Sequence, residues 1–325
     1  MQLEYFFAAH HFRDFDEFAQ TTHAWNLNIR QLERGSFKGD LLQFGTGDVQ
    51  AAHAAFQPGT FQQGEPPQGL RTLCILSDPS SHLIWRRKSI SANTVMAFPP
   101  GAELDAVSIG GELGVFTLSF SDELLECIST LLGYLDLEQL LNGEDVITVI
   151  PQVVTELRRF LHRICRELQK NPAKLETPPM RYELEFELPR KFLSAFSCSR
   201  EKMPKPNIRM RDLALRRIED YLEEFPNNPH TVRDLCRVAN VSERTLQYAF
   251  RERFGMPPKS LLLALRLNGM RRELKNPDTM STTITDLATR WGFWHMSQFA
   301  ADYRQLFGEL PSATRKNSRS KNRTE

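Results

Sequence analysis

Apolar residues in the stretch from 284 to 312 repeat twice at helical spacing. Ile284, Leu287 and Ala288 have the i, i+3, i+4 spacing of one helix face. Gly292 then supplies the left-handed conformation that ends a helix and begins a sharp turn. A second helix is predicted from Met296, with apolar residues at every fourth position and a stop after them: Phe299, Tyr303, Phe307, Gly308 and Pro311. Two short helices around a tight turn form the helix-turn-helix pattern.

The same arrangement is predicted about fifty residues upstream, between residues 231 and 255. Val232, Leu235 and Cys236 share one face of a first helix, and Ala239-Asn240 form the turn. Ser242 is a suitable N-cap for the second helix. The apolar positions of that helix are Leu246, Ala249, Phe250 and Phe254. The two-helix unit is therefore predicted twice.

A single helix is predicted between the two units, from Pro258 towards Leu274, with Asn276-Pro277 as its stop. Roughly 17 residues at about 1.5 Å each give a rod of about 25 Å. Such a rod can hold the two second helices apart, so that they lie in successive major grooves of one duplex, about 34 Å from each other.

The second unit resembles the AraC/XylS family of bacterial transcription regulators. The matching positions are Ile284, Asp286, Ala288, Gly292, Phe293, Ser297, Phe299, Tyr303, Arg304, Phe307, Gly308, Pro311 and Ser312. Residues 241–255 resemble the family's first reading helix, and residues 257–274 resemble its linker helix. The resemblance covers about the last third of the chain. It implies binding to double-stranded DNA, a homodimer, RNA polymerase as a partner, and a cupin-like amino-terminal barrel that binds a small-molecule effector.

Short alternating segments separated by turn residues predict a β-rich region over residues 25–120. The segments are 27–32, 41–45, 49–56, 70–76, 82–85, 94–98 and 113–120. Strands at this spacing predict a barrel or a sandwich. Before them, residues 12–24 predict a short amphipathic helix with Phe15 and Phe18 on its inner face.

From Asp122 the apolar spacing becomes helical. Residues 150–168 have an apolar stripe, made of Val153, Val154, Leu157, Leu161, Ile164 and Leu168. Arg158 and three further arginines are predicted to point away from it. Two interpretations of the stripe are open: it packs on the chain's own barrel, or it forms the antiparallel dimer seam that the family resemblance suggests. Residues 181–196 predict another helical piece, perturbed by Pro189.

Together these patterns predict a multidomain α+β chain. An amino-terminal β-barrel or cupin-like domain with dimerisation helices is predicted over residues 1–198, helical from 121 to 198. A linker is predicted at 199–208. An all-α domain with two helix-turn-helix units joined by a linker helix is predicted at 209–315, and a basic disordered tail at 316–325.

Polar residues on the first reading helix recur opposite its apolar face, at i, i+3, i+4 and i+7. Arginine pairs bidentately with guanine and glutamine with adenine. Arg244, Gln247 and Tyr248 are therefore predicted to contact bases. Arg251, further along, is better placed for a phosphate, and Glu243 favours the helix N-terminus.

The second reading helix offers a chemically weaker face. His295, Met296 and Gln298 are predicted base contacts and Arg304 a phosphate contact. Met296 and the neighbouring Ala301 supply only apolar contacts, for instance to a thymine methyl group, so this helix is expected mainly to position the protein. Asp302 would repel a nearby phosphate unless it is paired. Turn and core positions of the two motifs are Gly292, Phe250, Phe299 and Pro311.

Charge is distributed unevenly along the chain. The whole chain has a formal net charge of +1, but from Arg200 onward 24 Lys and Arg stand against 15 Asp and Glu, a net +9, which leaves −8 for the rest. A basic carboxyl-terminal third is the electrostatic footprint of a duplex-binding module.

Several other classes of protein are not indicated. The five cysteines are widely spaced without a CxxC, which predicts buried free thiols in a reducing compartment. His23, His53 and His82 lie on different segments, so no metal or other cofactor is expected, and no nucleotide-binding or hydrolase motif is present. No secretory leader and no run of about 18 apolar residues is found. A cytoplasmic chain that is not an enzyme and does not enter membranes is predicted.

The leading interpretation is a sequence-specific DNA-binding regulator of transcription, an activator by family resemblance only, that responds to a small-molecule effector. Trp25 and Trp85 are candidates for an apolar ligand pocket, or for ordinary core. Two alternatives stay open. The regulator can be controlled by a protein partner without an effector, or the amino-terminal half can be a cupin-type enzyme attached to a DNA-binding module.

Overall fold

The computed structural model describes residues 5–98, 103–133, 145–197, 210–225 and 230–321. The chain folds into two compact units. The first contains residues 1–29, 38–57 and 62–205, and the second contains residues 30–37, 58–61 and 206–325.

Twelve strands are found in the described residues: β1 (Phe6–Phe12), β2 (Asn26–Gln31), β3 (Lys38–Gly45), β4 (Val49–Gln57), β5 (Thr60–Glu65), β6 (Arg71–Leu76), β7 (Leu83–Trp85), β8 (Lys88–Ile90), β9 (Thr94–Ala97), β10 (Leu104–Ser108), β11 (Leu113–Phe120) and β12 (Val146–Thr148). All seven predicted segments are confirmed as strands. The pattern missed β1, β5, β8, β10 and β12.

The strands form two sheets, so the predicted barrel is not closed. Among the described strands, seven are ordered β1-β3-β4-β11-β6-β9-β12 and five are ordered β2-β5-β10-β7-β8. β4 and β11 are antiparallel neighbours, in a register that pairs Val49 with Phe120 and Phe56 with Leu113. Val49, Phe56, Leu113 and Phe120 are all buried. Apolar and polar residues alternate along each of these strands. This alternation fixes the register, because a slip of one residue would turn the buried side chains to the other face of the sheet.

A short helix, α1 (Phe15–Thr21), follows β1 and buries Phe15 and Phe18 as predicted. After β11 come α2 (Asp122–Leu131) and, after β12, the long helix α3 (Pro151–Lys170). Five residues of the α3 stripe belong to the same buried cluster as the sheet residues: Val154, Leu157, Leu161, Ile164 and Leu168. For these residues the structure favours packing on the chain's own sheet over a dimer seam.

Arg158 corrects one expectation about α3. The sequence predicts that it points away from the apolar stripe, but it is buried. Its Nε donates to the carbonyl of Leu76 at 2.9 Å and its Nη2 to that of Ala92 at 2.6 Å. These carbonyls stabilise a guanidinium inside the unit because a buried donor needs an acceptor.

A nearly continuous helix follows α3 after a 3₁₀ turn. It consists of α4 (Pro178–Tyr182), a π-helical turn (Glu183–Glu187) and α5 (Leu188–Ser197). The helix is predicted to be perturbed at Pro189, and the π-helical turn just before this proline is that perturbation. Proline has no N–H to donate within the helix, and a wider turn just before it accommodates the missing bond.

Seven helices follow in the described part of the second unit: α6 (Met210–Glu224), α7 (Val232–Ala239), α8 (Glu243–Phe254), α9 (Pro258–Lys275), α10 (Ile284–Arg290), α11 (Met296–Phe307) and α12 (Pro311–Lys321). The predicted linker at 199–208 lies outside the described residues. None of the helices in the described ranges has the length and apolar character that a membrane crossing requires.

The carboxyl terminus corrects a further expectation. Residues 316–321 are predicted to be disordered but continue helix α12. Its first turns are held by buried contacts that the sequence pattern does not show. Arg315 is buried and donates to the carbonyl of Thr282 at 2.7 Å, and Ser318 donates to the carbonyl of Lys275 at 3.0 Å.

Among the described cysteines, all four have free thiols. Cys74 and Cys165 are buried as predicted, whereas Cys127 is exposed on α2. Cys198 lies outside the described residues.

Candidate nucleic-acid interface

The first helix-turn-helix unit is formed by α7 and α8. Thr231 and Asp234 cap α7 reciprocally, since each accepts a hydrogen bond from the other's backbone N–H, at 3.2 and 3.0 Å. Asn240 takes the left-handed conformation at φ 53° between the helices, which its short polar side chain tolerates. Ser242 then accepts from the N–H of Thr245 at 3.2 Å and begins α8. The predicted turn and cap are confirmed.

Helix α8 has a buried face and an exposed polar face. Leu246, Ala249, Phe250 and Phe254 are buried. On the other side Arg244 and Arg251 are exposed, and Tyr248 is 50 % exposed. The Arg244 guanidinium carbon lies 5.9 Å from the centre of the Tyr248 ring, and Gln247 donates to Glu243 at 3.4 Å. Four predicted contact residues therefore share one helix, where two of them support each other by a cation–π contact.

The second unit is formed by α10 and α11, with Gly292 at the turn. Thr283 caps α10 by accepting from the N–H of Asp286 at 3.1 Å. Gly292 has φ +75°, and the following N–H, that of Phe293, donates back to the carbonyl of Ala288 at 2.9 Å. A residue with a side chain would be strained at this φ. The glycine turn that the sequence predicts is thus present.

Helix α11 presents His295 and Gln298 to solvent, with Met296 half-buried beside them. Phe299 and Tyr303 fill the opposite, buried face, and Arg304 is exposed one turn beyond Ala300. These residues place the predicted base contacts near the start of the helix and the predicted phosphate contact further along it.

Asp302, whose charge the sequence leaves unexplained, has a partner. Its Oδ1 accepts from the Gln298 amide at 2.7 Å. Its charge also acts on Arg266 of α9, where burial lowers the pKa of the guanidinium and Asp302 opposes that shift. Asp302 therefore orients a predicted base-contacting side chain and balances a nearby cation.

Trp294 is a surface residue that sequence reasoning missed. Its side chain is 74 % exposed and immediately precedes His295 and α11. A large aromatic ring so exposed is unusual on a surface. The signal was visible in the sequence as an additional aromatic residue in a turn whose core position is already filled by Phe293.

Helix α9 contacts α8 of the first helix-turn-helix unit and α10, α11 and α12 at the second. Its 18 residues give a length of about 27 Å. Arg271 joins it to the end of the chain, because its Nη1 donates to Glu309 at 2.6 Å, Thr314 at 3.1 Å and the Tyr303 hydroxyl at 3.3 Å. Pro311 is buried at the start of α12. The linker helix is thus a packed part of both motifs.

Gly269 allows the close packing of α9 on the second motif. A Cβ at this position would overlap Cη2 and Cζ3 of the Trp291 ring. The indole ring of Trp291 therefore lies directly against the α9 backbone.

A separate apolar cavity of about 70 Å³ lies in the first unit. Its wall includes both tryptophans considered from the sequence, Trp25 and Trp85, together with Phe18, Phe56 and Phe98. Polar atoms at its edge come from Thr22, Gln62 and Thr117. The chemistry of this wall suits a small apolar molecule.

The histidines of the first unit do not form a metal site in the described residues, where no group of three or more His, Cys, Asp or Glu side chains converges. His53 instead contacts Ser77 Oγ at 3.0 Å, and its ring centre lies 5.6 Å from that of His162. Burial, followed by the nearby His162, lowers the pKa of His53 to about 4, although Asp40 opposes the shift.

This chain is similar to known proteins in its carboxyl-terminal third. A family model described as a helix-turn-helix domain matches residues 235–317. The probable thc operon regulatory protein of Rhodococcus erythropolis is 40 % identical over 93 residues, which are 29 % of this chain and 28 % of that protein. The XylDLEGF operon transcriptional activator 2 of Pseudomonas putida is 35 % identical over 98 residues, which are 30 % of this chain and 62 % of that protein.

Solved structures match the same region. A probable AraC family transcriptional regulator from Rhodopseudomonas palustris CGA009 is 32 % identical, with a TM-score of 0.29, and the match covers 32 % of this chain and 96 % of that one. The chain spans less than two thirds of the length of the two curated relatives. The likeness therefore concerns the paired helix-turn-helix region.

Proposed function

We propose that this chain, which belongs to the AraC/XylS family of transcription regulators, reads two neighbouring sites on duplex DNA through the exposed faces of α8 and α11. The observation that carries the proposal is the pair of second helices, each with a buried aromatic face and an exposed polar face. Because α9 packs on both motifs, the two faces are held by one scaffold.

Helix α8 is the stronger reader in this proposal. Arg244 and Gln247 have the side chains that recognise guanine and adenine by paired hydrogen bonds in the major groove. Tyr248, in contact with Arg244, limits the rotamers of the guanidinium and adds a contact of its own. Arg251, two turns beyond Arg244, holds a phosphate and fixes the register of the helix without reading sequence.

Helix α11 contributes through a different chemistry. His295 and Gln298 supply hydrogen bonds, Met296 supplies apolar contact, and Arg304 holds a phosphate. Trp294, exposed at the start of the helix, adds an apolar surface that suits a thymine methyl group or the edge of a base step. The second site is therefore read more by shape and apolar contact than the first.

Regulation through a small apolar effector is the second part of the proposal. The apolar cavity of the first unit supports it, because Trp25, Trp85 and three phenylalanines surround a space with few polar groups. Action as an activator, as a homodimer and together with RNA polymerase follows from the family and stays a proposal.

Selection of bound duplexes from a random library tests the DNA-reading part directly. We expect two short motifs about one helical turn apart. Repeating the selection with Arg244→Ala should relax one position of the first motif only, and with Gln298→Ala one position of the second. Recovery of duplexes without any sequence preference would contradict the proposal.

The effector part has its own test. Thermal unfolding of the full chain is followed with a library of small apolar compounds, with and without a selected duplex. A ligand at 100 times its Kd should add about 2.7 kcal/mol to the stability of the folded state. If no compound raises the unfolding temperature while a protein partner alters DNA binding, control by that partner replaces the effector.

A further inference from the structure

An open groove of about 580 Å³ runs along the exposed face of α11. Four of the residues that line it are Gln298, Ala301, Asp302 and Arg304. Ala301 has only a methyl group, so at this position a base edge can come close to the helix. A DNA strand in the groove would therefore meet the amide of Gln298, the carboxylate of Asp302 and the guanidinium of Arg304 together.

Gln298 and Asp302 are joined in this groove by a short hydrogen bond. Nε2 of Gln298 donates to Oδ1 of Asp302, and the two atoms are 2.7 Å apart. The residues are separated by one helical turn, the spacing at which side chains of a helix meet. A hydrogen bond to a carboxylate is roughly twice as strong as a bond between neutral groups. The amide of Gln298 is therefore already held by its own helix in the protein without DNA.

The carboxylate of Asp302 permits only one of the two orientations of this amide. A carboxylate accepts hydrogen bonds and does not donate them. If the amide of Gln298 turned by 180°, its carbonyl oxygen Oε1 would face Oδ1 of Asp302, and the two acceptors would repel each other. The amide nitrogen therefore stays on the side of Asp302, and Oε1 stays on the opposite side.

A cation on α9 stabilises the negative charge of Asp302 at this position. The guanidinium carbon of Arg266 lies 5.0 Å from the centre of the Phe293 ring, and its Nη1 donates to the carbonyl of Gly292 at 3.5 Å. These contacts hold Arg266 at the turn of the second motif, where its charge and that of Asp302 attract each other. The cation thus offsets part of the repulsion between the Asp302 carboxylate and the phosphates of DNA.

We propose that Asp302 is a positioning residue that makes Gln298 a reader of adenine. This inference rests on the proposed DNA-reading function and adds the base that α11 selects. In the major groove adenine presents the acceptor N7 beside the donor N6 amino group. An amide whose carbonyl oxygen lies beside one free N–H matches both of these groups, and Asp302 accepts from the other N–H.

Guanine is the base that this arrangement excludes. It presents two acceptors, N7 and O6, where adenine presents an acceptor and a donor. The fixed Oε1 of Gln298 would face O6 of guanine with no proton between the two oxygens. An amide that rotates freely can turn its N–H groups towards guanine instead, but Asp302 holds one of them. The preference for adenine over guanine therefore depends on Asp302 as well as on Gln298.

Competition binding of the full chain to two duplexes that differ at one base pair tests the inference. The pair is the one at which Gln298→Ala relaxes the selected motif, and the duplexes carry A·T or G·C there. We expect the unsubstituted chain to prefer the A·T duplex about tenfold. Asp302→Ala, which removes the acceptor, and Asp302→Asn, whose amide both donates and accepts, should lower this preference to about threefold or less. Most of the change should be a gain of affinity for the G·C duplex.

The ratio of the two affinities distinguishes positioning from a general effect of charge. Removal of a negative charge near DNA raises the affinity for both duplexes by the same factor and leaves their ratio unchanged. Asp278→Asn is the matched control, because it removes an exposed carboxylate from the turn that follows α9, and its ratio should stay at about tenfold. In a chain that already carries Gln298→Ala, Asp302→Asn should leave the ratio unchanged. Circular dichroism of each variant checks that the helices remain folded.

The two proposals fail in different ways. An A·T preference that survives both Asp302 variants would overturn this inference and leave the DNA-reading proposal intact. The inference would also be overturned if Gln298→Ala relaxed no position, or if the selected pair at the Gln298 position were not A·T. Binding without preference at any base pair would contradict the DNA-reading proposal and this inference together.

Discussion

Arg244 and Arg251 lie on the same helix, two turns apart, yet they are assigned different tasks. Arg244→Ala should remove about 1–3 kcal/mol of discrimination at one base position. Arg251→Ala should instead weaken binding to all sequences and reduce the slope of log affinity against log salt by about one. Competition binding over a range of salt concentrations measures both. An identical loss on every sequence for both variants would make Arg244 a phosphate contact as well.

Substitution of Trp294 should change the affinity for DNA more than the stability of the fold. Because its side chain is 74 % exposed, Trp294→Ala should change the free energy of unfolding by no more than about 0.5 kcal/mol. Affinity for a selected duplex should fall by about 1 kcal/mol, roughly fivefold, if the ring contacts DNA. Urea unfolding and duplex titration of the same preparation give the two values. Unchanged affinity would remove Trp294 from the interface.

His53 links the stability of the first unit to pH. Its folded-state pKa is lowered to about 4, mainly by burial, from the ordinary value of 6.5. Below pH 6.5 the unfolded chain therefore takes up a proton that the folded chain does not, and stability is lost as pH falls from 6.5 towards 4. The loss from this group approaches about 3 kcal/mol.

Urea unfolding of the full chain at pH 7, 5.5 and 4.5 measures this dependence. His53→Gln should flatten the part of the curve between pH 6.5 and 4.5. His82→Gln serves as the control, because it removes an exposed histidine from the same unit and leaves His53 in place. An unchanged curve in the His53 variant would mean that other groups produce the acid sensitivity.

At the scale of the helix, Gly269 reverses the usual rule for glycine. Gly→Ala inside an exposed helix normally stabilises by up to about 1 kcal/mol. Here the added methyl group would overlap the Trp291 ring, so Gly269→Ala should lower the free energy of unfolding. Adding Trp291→Leu should recover part of the loss in a double-mutant cycle. A more stable Gly269→Ala chain would show that the ring moves aside freely.

At the scale of the elements, the sequence predicted those helices and strands that are determined by residues close together in the chain. The capped helices α7, α8 and α10, and the strands with clear alternation, follow from neighbouring residues. Strand β1 was missed because Phe6–Phe12 mixes histidines with aromatics and depends on its antiparallel partner β3. The short strands β8 and β12 likewise exist through distant pairing, which no local pattern reports.

The candidate interface also contains features that the sequence predicts and features that it does not. The polar face of α8 could be predicted because helical spacing alone places Arg244, Gln247 and Tyr248 together. The partner of Asp302 lies one turn away and was visible in principle as an i, i+4 pair with Gln298. A cavity of about 200 Å³ in the second unit, lined by Arg30 and Arg272 among others, could not be predicted, because these two residues are more than two hundred positions apart in the sequence.

For the whole molecule, the two parts of the chain have opposite net charges. The net charge of +9 after Ser199 attracts a polyanion such as DNA, whereas the net charge of −8 in the preceding part repels it. We expect the full chain to bind non-specific duplex weakly and to lose that binding steeply as salt rises, because phosphate contacts release counterions. Selected duplexes should retain more of their affinity, since base contacts do not depend on counterion release. Equal salt dependence for both kinds of duplex would indicate electrostatic binding alone.

The second unit is discontinuous in the chain, and this gives its folding an order in time. Gln31 donates its backbone N–H to the Asn268 side chain at 2.9 Å and receives a bond from the Asn268 amide at 2.8 Å, across 237 positions. At a synthesis rate of 5–20 residues per second, Gln31 leaves the ribosome roughly 10–50 s before its partner. Helix α9, which packs on both helix-turn-helix motifs, can therefore reach its final packing against Gln31 only after Asn268 has been made, so a chain terminated before that point would lack this contact.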